Sequence, residues 1–176
     1  MTTRSVLIYV RRKSAAFAEF FRVLRPGGRL SIFEPINSFA TAQDDGCGLF
    51  GLDLGPVAEL AARVRRAWVS QPPEQDPMLD FDERDLLQLA AEAGFTALEL
   101  DYRAEVRVPA PLPSTDWDVL KKTAPNPLAP TVEEVLAATL TESERGRFED
   151  HVRAVLAAGT LARTTMATAY LRAVRP

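Results

Sequence analysis

The sequence predicts an α/β fold in which helices cover a sheet, and three stretches carry this prediction. Residues 13–34 contain an amphipathic helix, a Pro-Gly-Gly turn and a short apolar strand. Residues 82–108 repeat the order of helix, glycine exit and strand, and the Thr-, Ala- and Leu-rich residues 164–174 form a last strand. Helices that alternate with strands in this way are typical of a layered α/β domain.

The first helix and strand are the most sharply defined elements. The apolar spacing predicts a helix from Lys13 to Leu24. Its buried stripe consists of Phe17, Phe20, Phe21 and Leu24. Pro26 cannot continue the helix because it lacks an N–H, and Gly27 and Gly28 can adopt the positive φ of a helix exit. A strand at 29–34 follows, and upstream a strand tail at 1–4 and a turn at 5–10 precede the helix.

Local signals define the later elements as well. Pro56 is placed to begin a second helix, and Asp82 to cap a third. Six prolines between 109 and 130 interrupt regular structure, although Trp117 is placed to start a short helix. Capping boxes at Thr131 and Thr141 then predict two further helices.

Composition indicates a globular protein of one domain, 1–176, and narrows its class. Hydrophobic residues make up 47% and charged residues 26% of the chain, and the net charge of −3 argues against a nucleic-acid surface. The basic clusters Arg11–Lys13 and Arg63–Arg66 are interpreted as solvated helix faces. The single cysteine, Cys47, excludes an internal disulfide, and no apolar run is long enough for a membrane helix, so we expect a cytoplasmic protein.

The stretch RVLRPGGRLSIFEP (22–35) is preceded by TTRSVLIYVRRKSAAFAEFF, and its last two residues begin the motif EP-x-N (34–37). Together these residues resemble the half of class I S-adenosylmethionine-dependent methyltransferases that follows the cofactor-binding half. The resemblance implies a partial Rossmann-like sheet of the family's fourth to seventh strands, in the order 4-5-7-6 with the seventh antiparallel, and with helical insertions. The family's glycine-rich cofactor loop does not occur in the sequence. The resemblance therefore implies an incomplete chain that needs an N-terminal cofactor half.

The resemblance also implies where the cofactor would bind. Ligands of open α/β sheets lie beyond the carboxyl ends of the strands. Thr3, Arg4 and Ser5 follow the family's fourth strand and would contact the methionine side of S-adenosylmethionine, with a surface arginine as the alternative for Arg4. Tyr9 would line the cofactor or acceptor pocket, with core packing as the alternative.

The acceptor would lie at the end of the next strand. Glu34 and Asn37 are the candidate catalytic residues, with a capping or turn role as the alternative for Glu34 and a plain turn for Asn37. The segments 39–77 and 109–159 are insertions expected to cover the acceptor side. Their aromatic residues favour a small or medium-sized hydrophobic or aromatic molecule as the acceptor. Those residues are Phe39, Phe50, Trp68 and Trp117.

Other candidate residues carry weaker signals. Asp44 and Asp45 lack a third ligand at metal-binding spacing, so no metal is expected. His151, the only histidine, is either a base in a lid or a half-buried structural residue. Cys47 has no neighbour that would activate its thiol.

Two functions remain open at this stage. The chain is either part of a small-molecule methyltransferase or a noncatalytic module that pairs with itself or a partner. In the second case the contact would be the exposed edge of the family's fourth strand. We expect the isolated chain to form a homodimer or to associate through that edge unless the missing half is supplied.

Overall fold

A computed structural model describes residues 1–42, 49–68, 75–109, 112–124, 129–159 and 163–176. The strands are β1 (Thr2–Arg4), β2 (Arg29–Pro35), β3 (Thr96–Pro109) and β4 (Arg163–Val174). The helices are α1 (Lys13–Val23), α2 (Asn37–Ala42), α3 (Ala58–Trp68), α4 (Glu83–Glu92), α5 (Trp117–Leu120), α6 (Val132–Thr139) and α7 (Glu142–Ala157). Short 3₁₀ turns occupy Leu7–Tyr9, Leu49–Gly51 and Gly55–Val57.

The four strands form one sheet in the order β1-β2-β4-β3. β1 pairs with β2 in parallel, Thr3 opposite Ile32, whereas β4 runs antiparallel to β2, Tyr170 opposite Phe33. This order and the reversed direction of β4 are those expected for the family's strands 4-5-7-6. The predicted α/β fold class, with its partial sheet and helical segments, is confirmed.

The chain divides into two compact units. The first comprises Met1–Gln43, Gln71–Val106 and Thr165–Pro176, and the second comprises Asp44–Ser70 and Arg107–Thr164. The second unit coincides largely with the two segments that the sequence marks as insertions. The buried residues of the second unit form a core of their own.

In the first unit, α1 and α4 pack against each other and share a core with the sheet. β2 alternates between buried and partly exposed residues, and Leu30, Ile32 and Glu34 face inward. Phe17 of α1 is fully buried among them. An alternating strand of this kind is covered on one face only, because successive side chains point to opposite faces.

The turn between α1 and β2 follows the sequence prediction in part. Gly27 has φ of +75° and its N–H donates a 2.8 Å hydrogen bond to the carbonyl of Arg175. Gly28 does not need a positive φ, but a Cβ there would lie 2.6 Å from the carbonyl oxygen of Arg25. Both positions therefore require glycine for different reasons, one conformational and one steric.

In the second unit, α3, α6 and α7 pack around a core that includes Trp117 and Phe148. The capping boxes predicted at Thr131 and Thr141 are both present, since each threonine side chain accepts from the N–H of the glutamate three residues later. Among the described residues, no helix has both the length and the apolar character that a membrane crossing requires.

Two local predictions are corrected by the structure. Lys13 was grouped with solvated arginines, but it is buried and forms an ion pair with Asp80. Arg63, also placed on a solvated face, is paired with Glu144. In the two ion pairs a carboxylate far away in sequence accounts for the difference.

Candidate functional site

The loop after β1 is fixed by the carboxylate of Glu34 at the end of β2. Glu34 Oε1 accepts hydrogen bonds from the N–H groups of Val6 at 2.9 Å and Leu7 at 3.1 Å, and Oε2 accepts from Ile8 at 3.4 Å. The Glu34 side chain is completely buried. This carboxylate caps the 3₁₀ turn Leu7–Tyr9, which is the capping role that the sequence left open beside a catalytic one.

Burial and hydrogen bonding act in opposite directions on Glu34. Desolvation raises its pKa above the ordinary value, and the N–H groups of Leu7, Val6 and Ile8 and the positive charge of Lys13 oppose that rise. The net effect is a raised pKa, because the hydrogen bonds from the loop only partly offset the free-energy cost of burying the negative charge. The conformational stability of the loop therefore depends on the Glu34 side chain of the neighbouring strand β2.

The residues predicted to meet the cofactor lie on β1 and in this loop. Thr3 and Arg4 are in β1, and Ser5 follows it with φ of +51° while its N–H donates to the carbonyl of Phe33 at 2.8 Å. The Arg4 guanidinium is exposed and lies 5.3 Å from the centre of the Phe33 ring. Tyr9 is 47% exposed, so the core-packing alternative does not apply to it.

Two features of these residues are typical of a ligand site. The hydroxyl oxygen of Thr3 is buried and has no hydrogen-bond partner within the described part of the chain. Ser5 holds a left-handed backbone conformation that is uncommon outside glycine. Strained backbone and an orphaned polar atom next to each other are more frequent at ligand sites than elsewhere.

A cavity of about 690 Å³ opens just beyond the carboxyl end of β2. Its lining starts with Ile36 and Phe39, continues with Phe81 and Glu83 at the start of α4, and includes Tyr102 of β3. Because ligands in open α/β sheets lie beyond the strand ends, this is the position expected for an acceptor. The rings of Phe39 and Tyr102 meet edge to face at 6.3 Å.

Four carboxylates line the same cavity. Asp82 caps α4, accepting from the N–H groups of Arg84 and Asp85, and Asp85 in turn accepts from the N–H of Asp82 at 2.8 Å. Asp80 is paired with Lys13, whose ammonium also donates to the carbonyl of Pro77 at 3.0 Å. The carboxylate of Glu83 lies 3.8 Å from the largely exposed guanidinium of Arg84. Hydrogen bonds therefore hold three of the four carboxylates in place, those of Asp80, Asp82 and Asp85.

Tyr102 experiences the charge of this wall. Burial raises the pKa of its phenol, and the carboxylates of Glu83 and Asp82 raise it further. The phenol is therefore neutral at physiological pH, and the negative potential of the α4 start reaches across the cavity to β3.

Asn37 lies next to this cavity in sequence, between Ile36 and Ser38. It is half-buried at the start of α2, and its carbonyl accepts from the Thr41 hydroxyl at 3.2 Å. The cavity lining includes Ile36 and Ser38 on either side of it. A role of Asn37 toward an acceptor stays a prediction, as does a catalytic role of Glu34.

The two candidate residues in the second unit, His151 and Trp117, form hydrogen bonds within that unit. The His151 Nε2 lies 3.0 Å from the Asp53 carbonyl, which can only accept, so the ring nitrogen donates. Trp117 is buried in the core, and its indole N–H donates to Glu149 at 3.0 Å. The expectation that Trp117 offers aromatic surface to an acceptor is thereby corrected, since the ring is used in packing.

The remaining candidates fall outside the described residues or outside any cluster. Asp44, Asp45 and Cys47 lie outside the described residues. Within the described ranges, no group of three or more His, Cys, Asp or Glu side chains is arranged to hold a metal ion.

Solved structures with a similar fold include phosphoethanolamine N-methyltransferase 2 of Haemonchus contortus in complex with phosphomonomethylethanolamine and S-adenosylhomocysteine. The TM-score is 0.41 at 13% identity, over 99% of this chain and 33% of that one. For the same enzyme in complex with S-adenosyl-L-methionine, the TM-score is 0.41 at 13% identity, over 99% of this chain and 32% of that one. For the [4+2]-cyclase SpnF, the TM-score is 0.36 at 19% identity, over 99% of this chain and 49% of that one.

This chain thus spans about a third of the length of the first two structures. No protein-family model matches the sequence, and no curated protein matches it either. The fold assignment rests on the strand order of this chain and not on these superpositions.

Sequence reasoning missed most of the cavity wall. Asp82 was found as a helix cap, but Phe81, Glu83 and Tyr102 were not recognised as lining residues. The one available signal is the acidic start of α4, Asp82 and Glu83, directly after the aromatic Phe81. This signal alone does not reveal which strand lies opposite. Only the tertiary structure brings Tyr102 to the same cavity as the start of α4.

Proposed function

We propose that this chain forms the acceptor side of an S-adenosylmethionine-dependent methyltransferase that acts on a small molecule. The observation that carries the proposal is the sheet order β1-β2-β4-β3, with an antiparallel β4 and a cavity at the carboxyl end of β2. This arrangement is the one that the resemblance implies for the family's strands 4-5-7-6. A cavity at that edge is where an acceptor would be held.

The cofactor would supply an electrophilic methyl group together with its own leaving group. The chain's contribution is to hold the acceptor in line and to exclude water, which can lower a barrier by roughly 7–11 kcal/mol. The cavity wall of Phe39, Phe81 and Tyr102 is suited to both tasks because it is largely apolar and built from rigid rings.

The cofactor would approach the loop after β1. The exposed guanidinium of Arg4 would pair with the carboxylate of its methionine part, and the unpartnered hydroxyl of Thr3 and the backbone at Ser5 would lie beside it. Glu34 would hold this loop in position through the N–H groups that it accepts. A glycine-rich half, supplied on the same or another chain, would complete the site.

Titration calorimetry with S-adenosylmethionine tests the proposal. It would be carried out on the 176-residue chain and on the same chain extended by the in-frame sequence encoded upstream of Met1. We expect one-site binding by at least the extended protein, weakened about tenfold by Arg4→Ala, the loss of one charge-assisted hydrogen bond. Arg12→Ala, near the same loop, is the control. Absence of binding by both proteins would contradict the proposal.

A noncatalytic module is the second candidate, and the position of β1 supports it. β1 lies at one edge of the sheet formed by the described residues and presents only three residues there. An edge strand offers unpaired backbone groups to a second strand. Light scattering at high protein concentration tests this candidate, since a dimer or larger species is expected and a uniform monomer would exclude association through β1.

A further inference from the structure

The cavity beyond β2 combines aromatic rings with negative charge. Three rings, those of Phe39, Phe81 and Tyr102, line it together with the carboxylates of Asp82 and Glu83. Among its described lining residues there is no lysine or arginine. A neutral aromatic acceptor would use the rings but would leave the carboxylates facing apolar atoms, which is costly.

An ammonium group of the chain itself already uses one end of this wall. The Lys13 ammonium lies 4.6 Å from the centre of the Phe81 ring and is paired with Asp80. It also donates to the carbonyls of Pro77 at 3.0 Å and Val10 at 3.2 Å. A buried alkylammonium is therefore stabilised here by a ring face, a carboxylate and carbonyl oxygens acting together.

The other end of the wall also combines aromatic rings with carboxylates, and no lysine or arginine is among the described residues that line it. The rings of Phe39 and Tyr102 meet edge to face there, and Tyr102 is 39% exposed. The carboxylates of Glu83 and Asp82 act on the Tyr102 phenol from the start of α4. The guanidinium nearest to Glu83, that of Arg84, is 87% exposed and so points toward solvent.

We propose that this end of the cavity, formed by Phe39, Tyr102, Asp82 and Glu83, binds a small cationic amine that carries apolar substituents, such as a methylated ammonium group. The rings attract the charge through their quadrupoles and contact the substituents, and the carboxylates neutralise the charge. The inference rests on the proposed function in that this cation would be the methylated product, or an acceptor amine whose N–H proton passes to water before its lone pair accepts the methyl group. Its binding needs no cofactor and is measured separately.

The test compares choline with its uncharged isostere 3,3-dimethylbutan-1-ol, each titrated into the full chain and followed by NMR. The two molecules differ in the quaternary nitrogen, so shape and apolar area are matched. We expect choline to bind about tenfold more tightly, the factor that corresponds to a partly desolvated cation on aromatic rings. Equal affinity of both molecules, or no binding of choline, would overturn the proposal.

Substitutions locate the binding. Glu83→Gln and Tyr102→Leu should each weaken choline binding several-fold, whereas Tyr102→Phe, which keeps the ring, should not. Glu92→Gln at the other end of α4 is the matched charge control, because Glu92 is exposed and outside the cavity lining. Choline binding that is unchanged in Glu83→Gln and Tyr102→Leu would mean a site elsewhere and would also overturn the proposal. Retained thermal stability of each variant confirms that it folds.

The two proposals can fail separately. Methyl transfer to an uncharged acceptor by a protein that does not bind choline would overturn this inference and leave the methyltransferase proposal standing. Choline binding by a protein that never binds S-adenosylmethionine would leave the amine site standing and contradict the methyltransferase proposal.

Discussion

The carboxylate of Glu34 and the N–H of Leu7 lie 3.1 Å apart although 27 residues separate them in sequence. This hydrogen bond joins the end of β2 to the loop after β1, and the N–H groups of Val6 and Ile8 reinforce it. One buried side chain thus determines the conformation of the segment proposed to meet the cofactor.

Replacing Glu34 with alanine should destabilise the first unit and loosen this loop. Three N–H groups would lose their acceptor, and those of Leu7 and Ile8 are buried, so we expect a loss of roughly 2–4 kcal/mol in the free energy of unfolding. Urea denaturation gives the energy, and hydrogen exchange at Val6, Leu7 and Ile8 gives the location. Glu99→Ala on β3, where the side chain is 70% exposed, is the control and should change little. Unaltered exchange at the three amides would contradict the assigned role.

The raised pKa of Glu34 predicts a pH dependence of stability with a defined sign. Its pKa in the folded protein lies above the ordinary value of 4.5, so between these values the folded state binds more protons than the unfolded state. The contribution of Glu34 is therefore fully present below pH 4.5 and lost as the pH rises through the folded pKa. The stability of the natural protein relative to Glu34→Gln should fall as the pH rises from 4.5 to neutrality. Parallel denaturation profiles would exclude this behaviour.

The pair of Arg63 and Glu144 predicts the opposite dependence in the second unit. The Arg63 guanidinium, followed by the N–H and hydroxyl of Thr141, lowers the pKa of Glu144 to about 2. The stabilisation is present above the ordinary value of 4.5 and lost as the pH falls through about 2. The stability deficit of Arg63→Met should thus be largest above pH 4.5 and shrink toward pH 2.

Arg147→Met is the matched control for Arg63→Met. Arg147 on α7 pairs with Glu59 on α3, so it joins the same two helices, but both side chains are about 60% exposed. Solvent screening makes such pairs weak. Urea denaturation at pH 6 and pH 2.5 should show a clearly smaller change for this variant, and equal effects of both substitutions would refute the special role of the less exposed pair, Arg63 and Glu144.

Gly51 should be intolerant of a side chain for a reason that Gly159 does not share. Both residues have positive φ, +71° and +66°, but a Cβ on Gly51 would lie 1.7 Å from the carbonyl oxygen of Arg163, whereas Gly159 has open space. Gly159→Ala should cost about 1 kcal/mol from backbone strain. Gly51→Ala should cost about 3 kcal/mol or more because the backbone must move. Thermal unfolding of the two variants measures the difference, and similar losses would show that the close approach is unimportant.

The proposed cavity illustrates how far local signals reach. Asp82 was identified as a cap from its position before an apolar run, and its hydrogen bonds to Arg84 and Asp85 confirm that. The sequence contains no comparable signal for Tyr102, which lies in the middle of a strand rich in charged residues. Its place in the cavity depends on α4 packing beside the sheet.

What the sequence determined by itself are the elements and their order. The stop at Pro26 and Gly27, the caps at Asp82, Thr131 and Thr141, and the apolar strand at 29–34 depend on interactions between residues a few positions apart, so they can be predicted from the sequence. With the family resemblance, they also predicted the strand order 4-5-7-6. Only the tertiary structure decided that Glu34 is buried as a cap, that Lys13 is paired with Asp80, and that Trp117 belongs to a core. Each of these outcomes depends on a partner at least 26 residues away, and its free energy comes from burial that no short stretch of sequence specifies.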